Sequence, residues 1–94
     1  MRQSFTVLVV DDEQAVRMML EAALRAQGYK IQSAASGVAA REILANDEFD
    51  LVLLDLQLGD SDGIEILREL KRDKPATEVI LLTAHGSINS AISA

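Results

Sequence analysis

Three short runs of large aliphatic residues, separated by segments with helical spacing, constrain the fold more than any other feature. Residues 5–10 read Phe-Thr-Val-Leu-Val-Val, residues 51–54 Leu-Val-Leu-Leu and residues 79–82 Val-Ile-Leu-Leu. A strand with apolar side chains pointing both ways needs cover on both faces, which is the situation inside a parallel sheet flanked by helices. Between the runs the period changes. Val16, Met19, Leu20, Ala23 and Leu24 recur at three- and four-residue spacing, which predicts an amphipathic helix over residues 13–27 that Gly28 can end. Tyr29, Ile31 and Ser33 alternate with Lys30, Gln32 and Ala34 in a weaker strand. Ser36 reads as the N-cap of a helix carrying Ala39, Ala40, Ile43 and Leu44. Asp62 and Gly63 open another, with Ile64, Leu67 and Leu70 on one side, and Pro75 closes that connection. Ser87 begins a stub in which Ile88, Ala91 and Ile92 keep helix spacing.

The order is therefore βαβαβαβ plus part of a helix, a pattern that implies parallel pairing through right-handed crossovers with helices on both faces. The three most apolar strands are expected inside the sheet and the Tyr29-led strand at its edge. With 94 residues, 49% of them hydrophobic, the chain is one globular domain spanning residues 1–94. A net charge of -6 has the wrong sign for a direct nucleic-acid partner. The apolar run at residues 5–10 stops at Asp11, too short for a signal segment or a membrane span. The absence of cysteine fits a cytoplasmic location.

In an open parallel sheet the functional crevice lies beyond the carboxyl ends of the strands. Each apolar strand ends in polar groups there: Asp11 and Asp12 after the first, Asp55 after the second of the runs, Thr83 after the third. Asp11 and Asp12 alone also suit an Asx turn or a cap on the helix beginning at Glu13. Asp55 is harder to explain that way: its helix begins only near Asp62, so it is not an N-cap. Three carboxylates at one sheet edge repel each other unless a cation neutralises them. Oxygen-only ligands in an open, loop-built site favour Mg2+ with retained waters. A cation held by aspartates beside a carboxylate nucleophile and a hydroxyl is an arrangement for phosphoryl transfer.

Taken together, Val9-Val10-Asp11-Asp12-Glu13, Leu53-Leu54-Asp55-Leu56, Asp62-Gly63 and Leu81-Leu82-Thr83-Ala84 resemble the receiver domain of two-component response regulators. The resemblance covers almost the whole chain and implies a flavodoxin-like, doubly wound sheet. The tail from Thr83 to Ile88 is similar to receivers of the nitrogen-regulation class, whose full-length members carry an ATPase domain and a DNA-binding output domain. By this resemblance Asp55 is the phosphoacceptor, taking its phosphoryl group from a sensor histidine kinase. Asp12 and Asp55 would ligate Mg2+ directly, Asp11 mainly through water, and Gln57 through its backbone carbonyl. Thr83 would be the switch hydroxyl, with Ala84 leaving room for the phosphoryl group. Gln57 and His85 would line the mouth of the site.

The chain departs from the family in two ways. Receivers usually have proline four residues after the phosphoacceptor, and here Gly59 stands there, so the loop at residues 57–61 is expected to be more flexible. A complete receiver also continues into a fifth strand ending in lysine and a fifth helix. The sequence in hand is read as a receiver ended before these, with strand order 2-1-3-4, impaired phosphorylation and a homodimer or exchanged-element association. Two other classes compete. An aspartyl-phosphate phosphatase needs an acid two residues after its nucleophile, where this chain has Gln57. The other is a phosphate-independent interaction or dimerisation scaffold, against which the intact acid triad argues and for which the missing fifth-strand lysine argues.

Overall fold

The structure, a computed structural model, describes residues 5–82. Seven elements follow in order: β1 (Thr6–Val10), α1 (Gln14–Ala26), β2 (Lys30–Ala34), α2 (Gly37–Asn46), β3 (Leu51–Asp55), α3 (Gly63–Asp73) and β4 (Glu78–Leu82). The strands form one parallel sheet in the order β2-β1-β3-β4. The expected doubly wound α/β architecture is therefore the one observed. β2 forms one border as expected. Among the described residues β4 forms the other, so only β1 and β3 of the three apolar runs lie inside. Thr83 and the helix stub expected from Ser87 lie outside the described residues.

Both faces of the central strands are covered, which explains why their sequences show no alternation. Leu8, Val10, Val52, Leu54, Val79 and Leu81 point to the face where α2 and α3 lie, against Ala40, Leu44, Ile66 and Leu70. Val7, Val9 and Leu53 point the other way and meet Leu20 and Leu24 of α1. The two layers are unequal. No residue of α1 is fully buried, whereas α2 and α3 bury three residues each.

Two helix faces differ from the sequence-based expectation. Met19 is 63% exposed instead of packed. Leu20 and Leu24 define the contact stripe, and Met19, about 100° round the helix from Leu20, falls outside it. In α3 the buried line runs through Gly63, Ile66 and Leu70, while Ile64 and Leu67 are only partly covered.

Local chemistry fixes the element ends. Gly28 follows α1 with φ 92°, a left-handed conformation that favours glycine. The Ser36 hydroxyl accepts from the Ala39 N–H at 3.1 Å, and the Asp62 carboxylate from the Ile64 N–H at 2.9 Å. At the amino end of the sheet, Asp50 Oδ2 accepts from the Thr6 N–H at 2.8 Å, and Thr6 Oγ1 accepts from the Asp50 N–H at 3.2 Å. The buried Thr77 hydroxyl donates to the Phe49 carbonyl at 2.9 Å. These cross-links tie the starts of β1, β3 and β4 together and so align their far ends.

Candidate functional site

β1 and β3 are neighbours with Val10 opposite Leu54, so the residues that follow, Asp11 and Asp55, arrive at the same level of the sheet. Asp11 continues the β1 ladder by donating its N–H to the Ala34 carbonyl at 3.2 Å. One carboxylate oxygen from each of Asp11, Asp12 and Asp55 lies within 4.8 Å of the others. Asp11 and Asp55 are buried, with 5% and 9% exposure, and Asp12 is open to solvent. The three expected acids are thus brought together, in a cluster closed at the sheet and open at Asp12.

Each buried carboxylate is held by a backbone amide two residues on. Asp11 Oδ1 accepts from the Glu13 N–H at 2.9 Å and Asp55 Oδ1 from the Gln57 N–H at 3.0 Å. The Asx geometry expected for Asp11 is therefore real, and it coexists with membership of the cluster. Glu13 occupies the N-cap position of α1 with no side-chain cap hydrogen bond, so neither Asp11 nor Asp12 is that helix's N-cap residue. Burial pushes the Asp55 carboxyl above its ordinary value, the Gln57 amide opposes this, and the nearby charges of Asp11, Asp12 and Glu13 push it further up. No ion pair among the described residues joins a lysine or arginine to these three acids. Arg17 approaches, but its guanidinium donates to the Asp11 backbone carbonyl at 2.8 Å. An all-oxygen donor set with surplus negative charge and one solvent-facing side fits a hard divalent cation.

The connection from β3 to α3 forms the wall beside Asp12 and Asp55. Gly63 donates its N–H to the Leu56 carbonyl at 3.1 Å, and a Cβ there would sit 2.6 Å from Leu56 Cα and 2.7 Å from the Asp55 carbonyl oxygen. Only glycine permits that approach. Gln57 and Asp62 form an isolated antiparallel bridge, and Leu58 is buried in the core. Gly59 lies over Asp12, where a Cβ would be 3.8 Å from Oδ2. Gln57 is exposed.

Sequence reasoning missed Asp60. Its Oδ1 accepts from the Gly37 N–H at 2.8 Å and its Oδ2 from the Val38 N–H at 3.1 Å, both in the first turn of α2. An aspartate between glycine and serine reads as a turn residue, and its partners lie more than twenty positions earlier in the chain. No local signal announces the contact.

Fold and site together define a small doubly wound α/β domain with a carboxylate cluster of cation-binding type at its strand ends. The chain belongs to the response regulator receiver domain family, whose model matches residues 7–94. It is 40% identical over 88 residues to the transcriptional regulatory protein ZraR of Klebsiella oxytoca, covering 94% of this chain and 20% of that protein. It therefore spans about a fifth of the length of that relative. The response regulator TrrA of Thermotoga maritima, solved in complex with Mg2+-BeF, superposes with a TM-score of 0.80 at 36% identity, over 85% of this chain and 70% of TrrA. A CheY-like receiver domain protein of Methanospirillum hungatei JF-1 gives 0.86 at 29% identity, over 97% and 74%. Receiver domains of this family are signalling modules of two-component systems. No helix among the described residues is long and apolar enough to cross a membrane.

Proposed function

We propose that this chain is a phosphoacceptor receiver in a cytoplasmic two-component system, taking a phosphoryl group from a sensor histidine kinase onto Asp55. The convergence of Asp11, Asp12 and Asp55 within 4.8 Å carries this reading. The Gln57 amide occupies Asp55 Oδ1, which orients the carboxylate and leaves Oδ2 to attack. The Oδ2–P bond forms as the P–N bond to the kinase imidazole breaks, and the imidazole leaves with the bonding pair and takes up a proton from solvent. Asp11, Asp12, Asp55 and the Gln57 carbonyl would hold Mg2+, which when bound neutralises the approaching anionic charges. Thr83 would donate its hydroxyl to a phosphoryl oxygen and so report the modification. In a longer parent protein the signal would pass to an ATPase or DNA-binding output domain.

The test is an amide NMR titration with Mg2+, then with beryllofluoride as a phosphoryl mimic. Shifts at Asp11, Asp55 and Gln57 with Mg2+, followed by further shifts at Thr83 with the mimic, support the proposal. A metal response without any response to the mimic would identify a scaffold that no longer accepts phosphate.

A further inference from the structure

The loop beside the acids is fixed at its base. The Gln57 amide is bound to Asp55, Leu58 is buried, and Gly63 closes back onto Leu56. Between Leu58 and Asp62 the described polar tether is different in kind. Asp60 reaches out of the loop and takes the amides of Gly37 and Val38, while Ser36 takes that of Ala39. The first free N–H groups of α2 are thus shared between a local cap and a carboxylate from another loop. The amides of Gly37 and Val38 hold the Asp60 carboxyl below the usual carboxylate range, so it is charged at neutral pH. Ser61 packs so closely on Gly37 that a Cβ at residue 37 would collide with it.

The location of this tether matters because of Gly59. That residue lies over Asp12 Oδ2, and its neighbour Asp60 supplies the bond to α2. Among the described residues only Gly28 has positive φ, so Gly59 has a conformation other residues can adopt. Glycine there lowers the loop's own preference for one shape, since it has more unfolded conformations to lose. The restraint must come from elsewhere.

We infer that Asp60 is a positioning residue for the cation site: by docking onto the first turn of α2 it holds the loop beyond Leu58, and Gly59 with it, over Asp12. It makes α2 part of the site's support without touching the cation. The inference rests on reading the three carboxylates as a Mg2+ site.

Three variants and a control test it in the intact chain, each followed by Mg2+ titration and by amide hydrogen exchange. Asp60→Ala is expected to weaken Mg2+ binding about tenfold, the lower end of what loss of an outer support costs a metal site, and to speed exchange at Gly37 and Val38. Asp60→Asn keeps an acceptor and is expected to recover most of the affinity. Adding Gly59→Pro to Asp60→Ala stiffens the loop at φ near -65°. It is expected to restore Mg2+ affinity while the Gly37 and Val38 amides still exchange fast, which a merely structural role for Asp60 does not produce. Ser36→Ala, which removes the local cap on the same helix, is expected to leave the affinity unchanged. Wild-type affinity in Asp60→Ala, or no recovery on adding Gly59→Pro, overturns the inference. Failure of the wild-type chain to bind Mg2+ instead overturns the reading of the acid cluster on which it rests.

Discussion

Removing one charge from the acid cluster should make the metal-free fold more stable. The substitution is Asp55→Asn, which keeps nearly the same shape and an Oδ1 that still accepts from the Gln57 N–H. In the folded chain Asp55 has two carboxylates within 4.8 Å, and no ion pair among the described residues offsets them. At that separation each pair repels by about 3.5 kcal/mol at an effective dielectric near 20 and by about 0.9 kcal/mol in bulk water. Asp12 is solvent-exposed and its share belongs near the lower limit, whereas Asp11 is buried. The Asn side chain is also cheaper to bury than a carboxylate. Allowing for screening and for residual repulsion in the unfolded chain, a gain of about 1–3 kcal/mol is expected. Urea unfolding at pH 7 in low salt with EDTA measures it. The gain should shrink in about 1 M salt, where the Debye length falls to about 3 Å. With Mg2+ at about 100 times its Kd the wild type should gain about 2.7 kcal/mol, and Asp55→Asn less, closing or inverting the gap. An Asp55→Asn midpoint equal to or below wild type in EDTA and low salt would refute the reasoning.

Gly63→Ala should cost about 1–3 kcal/mol or more by overpacking against backbone that cannot yield, and should weaken Mg2+ binding, because the displaced atoms include the Asp55 carbonyl; denaturation and metal titration check both. Ile66→Ala, which truncates a side chain only 1% exposed, should cost about 2–5 kcal/mol in a urea melt, while Met19→Ala should change stability little because Met19 is 63% exposed. Stability of the metal-free chain should pass through a maximum on the acid side of neutrality. As pH falls through the raised folded value of Asp55, the folded state takes up a proton first and repulsion is relieved. Further down, Asp60, held low by the α2 amides, and Glu69, held low by Arg41, contribute stability that is present above their unfolded values near 4 and lost as pH falls through their lower folded ones. Denaturant midpoints across pH 2–8 should show the maximum, and Asp60→Asn with Glu69→Gln should flatten its acid side.

The strands were legible because burial on both faces writes itself as an unbroken apolar run, as at residues 7–10 and 51–54. Asp55 was legible for a related reason: a carboxylate directly after such a run, far from the next helix, cannot be that helix's N-cap, although it does hold the Gln57 N–H. Helix faces were read less well. Ile64 and Ile66 have the same chemistry, and only the direction in which α3 leaves Gly63 decides that Ile66 is the one buried. Met19 is apolar and correctly spaced, yet the sheet meets α1 along Leu20 and Leu24. Asp60 was illegible because its partners are backbone amides, which every residue but proline carries and no sequence pattern marks. The bidentate pair of Arg41 Nε and Glu69 Oε1, at 3.0 Å between α2 and α3, was hidden in the same way by distance along the chain.

Val10 faces Leu54 across the central ladder, and this gives the chain an uneven tolerance for changes of length. Whole helical turns added to the middle of α1 or α3, or residues added to the α1–β2 turn, leave the strand ends level. One residue inserted within β3 would move Asp55 about 3.3 Å along the sheet and turn its side chain to the opposite face. The carboxylates would then be separated by the sheet itself, although every residue of the motif would still be present in order. What is inherited at this site is as much a phase as a set of side chains, a phase written in the burial of alternate residues of β1 and β3 and shared by the Thr6–Asp50 cross-link at the far end of the strands, 2.8 Å from amide to carboxylate.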